Sequence, residues 1–189
     1  MGRVLLASGS DKGIELLSQH LKMSGYNQIT NTNSGSDARR CIDRYEYELI
    51  IINTPLSDEF GHEFSIKAAE SSNSGIILIC KSDIADDLED KLNCYGVCVI
   101  PKPLNKAVFH QSVKLVSATR SRILGLQSEN FKLQNKIEEI RLVNRAKCAL
   151  IQYLKFTEPQ AHRYIEKQAM DTRQTRKEVA LSILSTYEQ

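Results

Sequence analysis

The chain has 189 residues, 41% hydrophobic and 25% charged, which excludes a disordered polymer and allows one domain or two small ones. The apolar runs, such as Leu49 to Ile52, are too short to span a bilayer, and no long apolar core follows Arg3 as a secretory signal would need. The net charge of +2 hides a division. Residues 1–108 hold 11 Lys and Arg against 15 Asp and Glu, a charge of −4, whereas residues 109–189 hold 14 against 8, a charge of +6. The second part is therefore the one to suspect of meeting a polyanion.

In chain order, Arg3 to Ala7 predicts a short apolar strand, and Ser10 caps a helix that runs through Ser24 and stops at Gly25. Ile29 to Thr32 reads as a second strand, and Ser36 to Tyr45 as a helix with Ala38, Cys41 and Ile42 on one side. Glu48 to Asn53 is a third strand whose apolar centre implies burial on both faces. A loop with Pro55 and Gly61 leads to a helix from about Glu63 to Ser71. Gly75 to Cys80 is a fourth strand, Asp83 to Tyr95 a fourth helix, and Val97 to Ile100 a fifth strand, followed by Lys102-Pro103. Five strands alternating with helices predict a doubly wound, flavodoxin-like parallel sheet. Ligands of such sheets sit beyond the carboxyl ends of the strands, here Ser8-Gly9-Ser10, Asn53-Thr54, Cys80-Lys81 and Lys102.

A long helix follows from Phe109. Phe109, Val116, Ile123, Asn130, Ile137 and Asn144 recur at one heptad position, and Ser112, Thr119, Leu126, Leu133 and Ile140 at the other. The apolar residues are densest between Ile123 and Ile140. A two-stranded parallel coiled coil is expected there, in which Asn130 pairs with its own copy and fixes the register. The alternative is a single helix lying on a neighbouring domain. The pattern continues through Val143, Ala146, Leu150, Ile151 and Leu154, so the helix is expected to reach about Lys155. Thr157-Glu158-Pro159-Gln160 and Thr175-Arg176-Lys177-Glu178 are capping boxes that open two more helices. Their apolar sides carry Ala161, Tyr164, Ile165 and Ala169, then Val179, Ala180, Ile183 and Leu184, with Tyr164 read as core. The three helices predict a small bundle, divided from the rest as residues 1–108, a linker of 109–140 and a module of 141–189.

Five cysteines (Cys41, Cys80, Cys94, Cys98, Cys148) show no CxxC pair, and the four histidines are scattered. Reduced thiols in a cytoplasm are expected, with no metal and no cofactor. No nucleophile–base pair or phosphate-cradling glycine loop is present, so the chain reads as non-enzymatic.

Residues 3–108, closed by Lys102-Pro103, resemble the receiver domain of bacterial response regulators. That resemblance places a phosphorylation pocket at Ser8, Gly9, Asn53, Cys80 and Lys102, in a degenerate form. Ser8-Gly9 stand where the family holds Mg²⁺ with acids, Asn53 where it carries the phospho-acceptor Asp, Cys80 where it has Ser or Thr, and Val99 at its aromatic switch. Arg145-Ala146-Lys147, Leu150, Ala161, Ala169-Met170-Asp171-Thr172-Arg173 and Val179-Ala180 resemble an ANTAR domain, the RNA-binding module of transcription antitermination regulators. Cys148 departs from the glycine common after the Ala-Lys pair. The resemblance implies a cytoplasmic homodimer that binds hairpin loops in leader transcripts, and it leaves the receiver-like domain open to a protein partner. The expected RNA contacts are Arg145, Lys147, Arg163, Lys167, Arg173, Arg176 and Lys177, and the expected dimer seam is Ile123, Leu126, Asn130, Leu133, Ile137 and Ile140. A DNA-binding transcription factor and a dimeric protein-binding adaptor are the alternatives.

Overall fold

A computed structural model describes residues 2–187. The chain divides into two compact units, Met1–Leu124 and Gly125–Gln189. In the first unit β1 (Val4–Ser8), β2 (Ile29–Thr32), β3 (Leu49–Asn53), β4 (Gly75–Lys81) and β5 (Val97–Lys102) form one parallel sheet in the order β2-β1-β3-β4-β5. The strand order reverses between β1 and β3, so the loops after these two strands diverge and leave a crevice at their carboxyl ends.

Alternate residues of each strand enter different cores. Leu5, Ile50, Ile52 and Leu78 face α2 (Gly35–Arg44), α3 (His62–Ser71) and α4 (Ala85–Leu92), meeting Ala38, Phe64 and Leu88. Val4, Leu6, Ile51 and Ile77 face α1 (Asp11–Met23) and the start of α5 (Lys106–Leu154), meeting Leu17, Leu21, Phe109 and Val113. Burial on both faces accounts for the unbroken apolar runs of β3 and β4.

Two local expectations change. The fourth helix is three pieces, because 3₁₀ turns at Ser82–Ile84 and Asn93–Tyr95 flank α4, and Gly96 closes the second at φ 72°. Phe109 is not a coiled-coil residue. It is fully buried against α1 and the sheet, and its heptad spacing from Val116 only reflects the shared face of the helix that packs there.

In the second unit, the end of α5, α6 (Glu158–Thr172) and α7 (Arg176–Tyr187) enclose Ala146, Ala149, Leu150, Ala161, Ile165, Val179, Ala180 and Ile183. Alanines on all three helices let their axes approach closely, because interaxial distance is set by the side chains at the contact. Both capping boxes form. Thr157 N–H donates to Gln160 Oε1 at 2.8 Å, and Thr175 N–H donates to Glu178 Oε2 at 2.7 Å. Tyr164, expected in the core, stands 37% exposed and meets Phe156 edge to face at 5.7 Å.

Candidate functional site

The crevice of the first unit is built from strand ends. Ser8 and Asn53 are register partners at the ends of β1 and β3, and Asn53 Nδ2 donates to Ser8 Oγ at 2.9 Å. These two side chains fill the space above Gly13, where a Cβ would lie 2.5 Å from Asn53 Nδ2 and 2.8 Å from Ser8 Oγ. Gly9 N–H donates to the Pro55 carbonyl at 3.2 Å, drawing the β1 and β3 loops together. Lys102 ends β5 and donates through Nζ to the Thr54 carbonyl at 2.5 Å. Burial pulls the Lys102 ammonium below its ordinary range, partly offset by Cys80, and burial pushes the Cys80 thiol up. The sequence-predicted positions therefore gather at the carboxyl ends of the strands, with a Ser8–Asn53 hydrogen bond and a Lys102–Thr54 hydrogen bond between them. Asn53 presents an amide whose nitrogen lone pair is delocalised, and amides are absent from the side chains that serve as covalent nucleophiles. Among the described residues no group of three or more His, Cys, Asp or Glu is placed to hold a metal.

The nearby acid, Asp58, is committed elsewhere. It accepts from Gly35 N–H at 2.7 Å, Ser36 N–H at 3.0 Å and Ser36 Oγ at 2.8 Å, tying the loop after β3 to the start of α2. Arg39 strengthens the same junction through Glu59 at 2.8 Å. The Ser36 and Gly35 amides hold the Asp58 carboxyl at about 2, below its ordinary 3.8. A lowered folded pKa stabilises the protein above the unfolded value, and that contribution is lost as pH falls through the folded one. Asp58→Asn is thus expected to lower the melting temperature by a constant amount above about pH 5, with the difference closing toward pH 2. Melting curves of both proteins across that range check it, and a difference that grows below pH 4 would sink the assignment. Nothing in the sequence marks Asp58, because its partners come from a different helix.

The seven basic positions of the second unit fall into different settings. Lys147 has its side chain only 17% exposed and pairs with Glu158 at 2.9 Å, which joins α5 to the first turn of α6. Arg176 meets Glu139 at 3.3 Å and Lys177 meets Glu138 at 2.8 Å, which holds the start of α7 against α5. Arg145 is exposed and engaged with neighbours. Arg163 and Lys167 are exposed one turn apart on α6, and Arg173 is exposed where the helix ends at φ 54°. Among the described residues these last three form no ion pair. The acids Glu138, Glu139 and Glu158 were the hidden half of the pattern, visible in sequence only as ordinary surface charge. The seam positions Ile123, Leu126, Leu133, Ile137 and Ile140 are 48–57% exposed, and Asn130 is exposed among them.

The ANTAR domain family matches residues 132–184. The chain is 25% identical over 184 residues to the transcriptional regulatory protein PdtaR of Mycobacterium tuberculosis, covering 97% of this chain and 90% of that protein. The first unit has the fold of the signal receiver domain of a signal transduction histidine kinase from Syntrophus aciditrophicus, with TM-score 0.56 and 22% identity over 63% of this chain and 92% of that one. The response regulator TrrA of Thermotoga maritima is similar at TM-score 0.54 and 23% identity, covering 61% of this chain and 99% of that one. At these identities the solved structures bear on fold alone. Among the described residues no helix is long and apolar enough to cross a membrane.

Proposed function

We propose that this chain, which carries an ANTAR domain over residues 132–184, is a cytoplasmic, dimeric, non-enzymatic response regulator that binds RNA hairpin loops in leader transcripts and prevents termination. The observation that carries this reading is the trio Arg163, Lys167 and Arg173, exposed on an ANTAR module and, among the described residues, without ion pairs. Arg and Lys meet phosphates, and Arg also stacks on unpaired bases, which loops offer and duplexes do not. Lys147, Arg176 and Lys177 serve first to hold the three helices together. Exposed ion pairs are weak, about 0–1 kcal/mol, so a phosphate can still displace Glu139 from Arg176. The half-exposed stripe from Ile123 to Ile140 supports a parallel homodimer, and two modules on one dimer gain avidity for linked hairpins.

The test is titration of the full chain with a looped RNA and with duplex DNA at matched salt. If about three to five phosphates are met per site, log affinity falls against log salt with a slope of about −2 to −3.5. Equal competition by duplex DNA would favour a DNA-binding regulator, and a flat salt response a protein adaptor.

The receiver-like unit is read as signalling without phosphate. Small phosphodonors with Mg²⁺ are expected to leave the intact mass unchanged, because Asn53 is no acceptor and Ser8-Gly9 bring no carboxylate. A phosphoryl adduct mapped to Asp58 would reverse that reading.

A further inference from the structure

A cavity of about 310 Å³ lies at the amino ends of β4 and β5, at the opposite end of the sheet from Asn53 and Lys102. Ile76, Tyr95, Leu115, Val116 and Ile123 give it apolar walls, and its rim carries Arg120. Among the described residues no Asp or Glu lines it. Close approach of α5 makes the enclosure possible. A Cβ on Gly75 would sit 2.4 Å from Val116 Cγ1, so only glycine lets the helix close that side. Arg120 Nε donates to the Asn73 carbonyl at 2.8 Å, which clamps α5 across the rim. Among the described residues Arg120 forms no ion pair. Glu48, the acid on the far side of Tyr26, is already committed to Gly2 N–H at 2.6 Å and Tyr26 Oη–H at 2.8 Å.

We propose that this cavity is the input site of the receiver-like unit and takes a small organic acid. Its apolar body packs on Ile76, Leu115, Val116 and Ile123, and its carboxylate accepts from the Nη groups of Arg120. The volume is at the small end of the roughly 300–1,000 Å³ spanned by ligand pockets, which suits a single ring or a short branched chain and excludes a partner helix. The planar guanidinium, already fixed through Nε, offers the fork that a carboxylate matches, whereas a phenol or alcohol would use half of it. Leu115, Thr119, Arg120 and Ile123 come from successive turns of α5, so a bound acid bridges this helix to β4 and α3 and favours whichever position of α5 keeps the cavity formed. This site does not depend on the RNA module.

The experiment is amide NMR on the full chain titrated with phenylbutyrate and, separately, with uncharged phenylbutanol. Phenylbutyrate is expected to give saturable shifts at Gly75, Gly96, Cys98 and Val116, with phenylbutanol weaker by about tenfold. Arg120→Gln should erase that difference, and Arg120→Lys should retain part of it, with circular dichroism unchanged in both. The wild-type arm decides even if a variant fails to fold. Absence of saturable shifts at millimolar probe, shifts centred elsewhere, or equal affinity for the two probes would overturn the proposal. The last result would make the cavity a plain apolar docking surface.

Discussion

Leu126→Asp combined with Leu133→Asp is expected to turn a micromolar dimer into a monomer. The two leucines share one heptad position, and each is more than half exposed on the described chain, so a second copy is what would cover them. Full burial of a leucine stabilises by about 1.5–3 kcal/mol. Covering the exposed half of four leucines per dimer therefore contributes about 3–6 kcal/mol, two to four orders of magnitude in the dissociation constant. Aspartates facing each other across the seam add desolvation and repulsion to that loss. Phe131→Asp is the control: Phe131 is 65% exposed but lies off the seam, so its loss should leave the dimer intact. Sedimentation of the three proteins at micromolar concentration reads the outcome. A monomeric wild type, or disruption by Phe131→Asp alone, would mean that the stripe is not a seam.

The parallel sheet was legible because burial on both faces forces unbroken apolar strands, and Leu49 to Ile52 admits few other readings. The convergence of Ser8, Asn53, Cys80 and Lys102 followed from topology, since all four sit at carboxyl ends of strands. What the sequence hid depends on which surface a helix meets. Phe109 and Ile123 share a heptad position, yet the first is fully buried against the sheet and the second is half exposed, one residue short of Leu124 where the first unit ends. Spacing reports a helical face but not its partner. The same blindness applied to charge. In sequence Lys147, Arg176 and Lys177 carry the same charge as Arg163 and Lys167, but in the fold Glu158, Glu139 and Glu138 stand opposite the first three. Asp58 was invisible for a related reason, as its three donors belong to Gly35 and Ser36, over twenty residues away in sequence.

That separation of the basic residues sets up the second large effect. Replacing Arg163 and Lys167 by alanine and Arg173 by asparagine is expected to weaken hairpin binding by more than about a hundredfold. Each contact to a base or a desolvated phosphate contributes about 1–3 kcal/mol, and three together exceed that hundredfold even at the low end. Asparagine is chosen at Arg173 because the backbone there holds φ at 54°, a region asparagine tolerates and alanine does not. Charge is thus removed without adding strain at the end of α6. Lys177→Ala, which loses its pair with Glu138 at the surface, should shift binding by only a few tenths of a kcal/mol. Lys147→Ala is a poor probe, since its half-buried pair with Glu158 anchors α6 and its loss would lower stability and binding together. Binding measured at two salt concentrations, with helicity followed by circular dichroism, separates these cases. The triple variant should also flatten the salt slope by about 2. If the triple variant binds the hairpin as tightly as the wild type while Arg176→Ala and Lys177→Ala abolish binding, the RNA lies against the start of α7, and the outer face of α6 is only solvated charge.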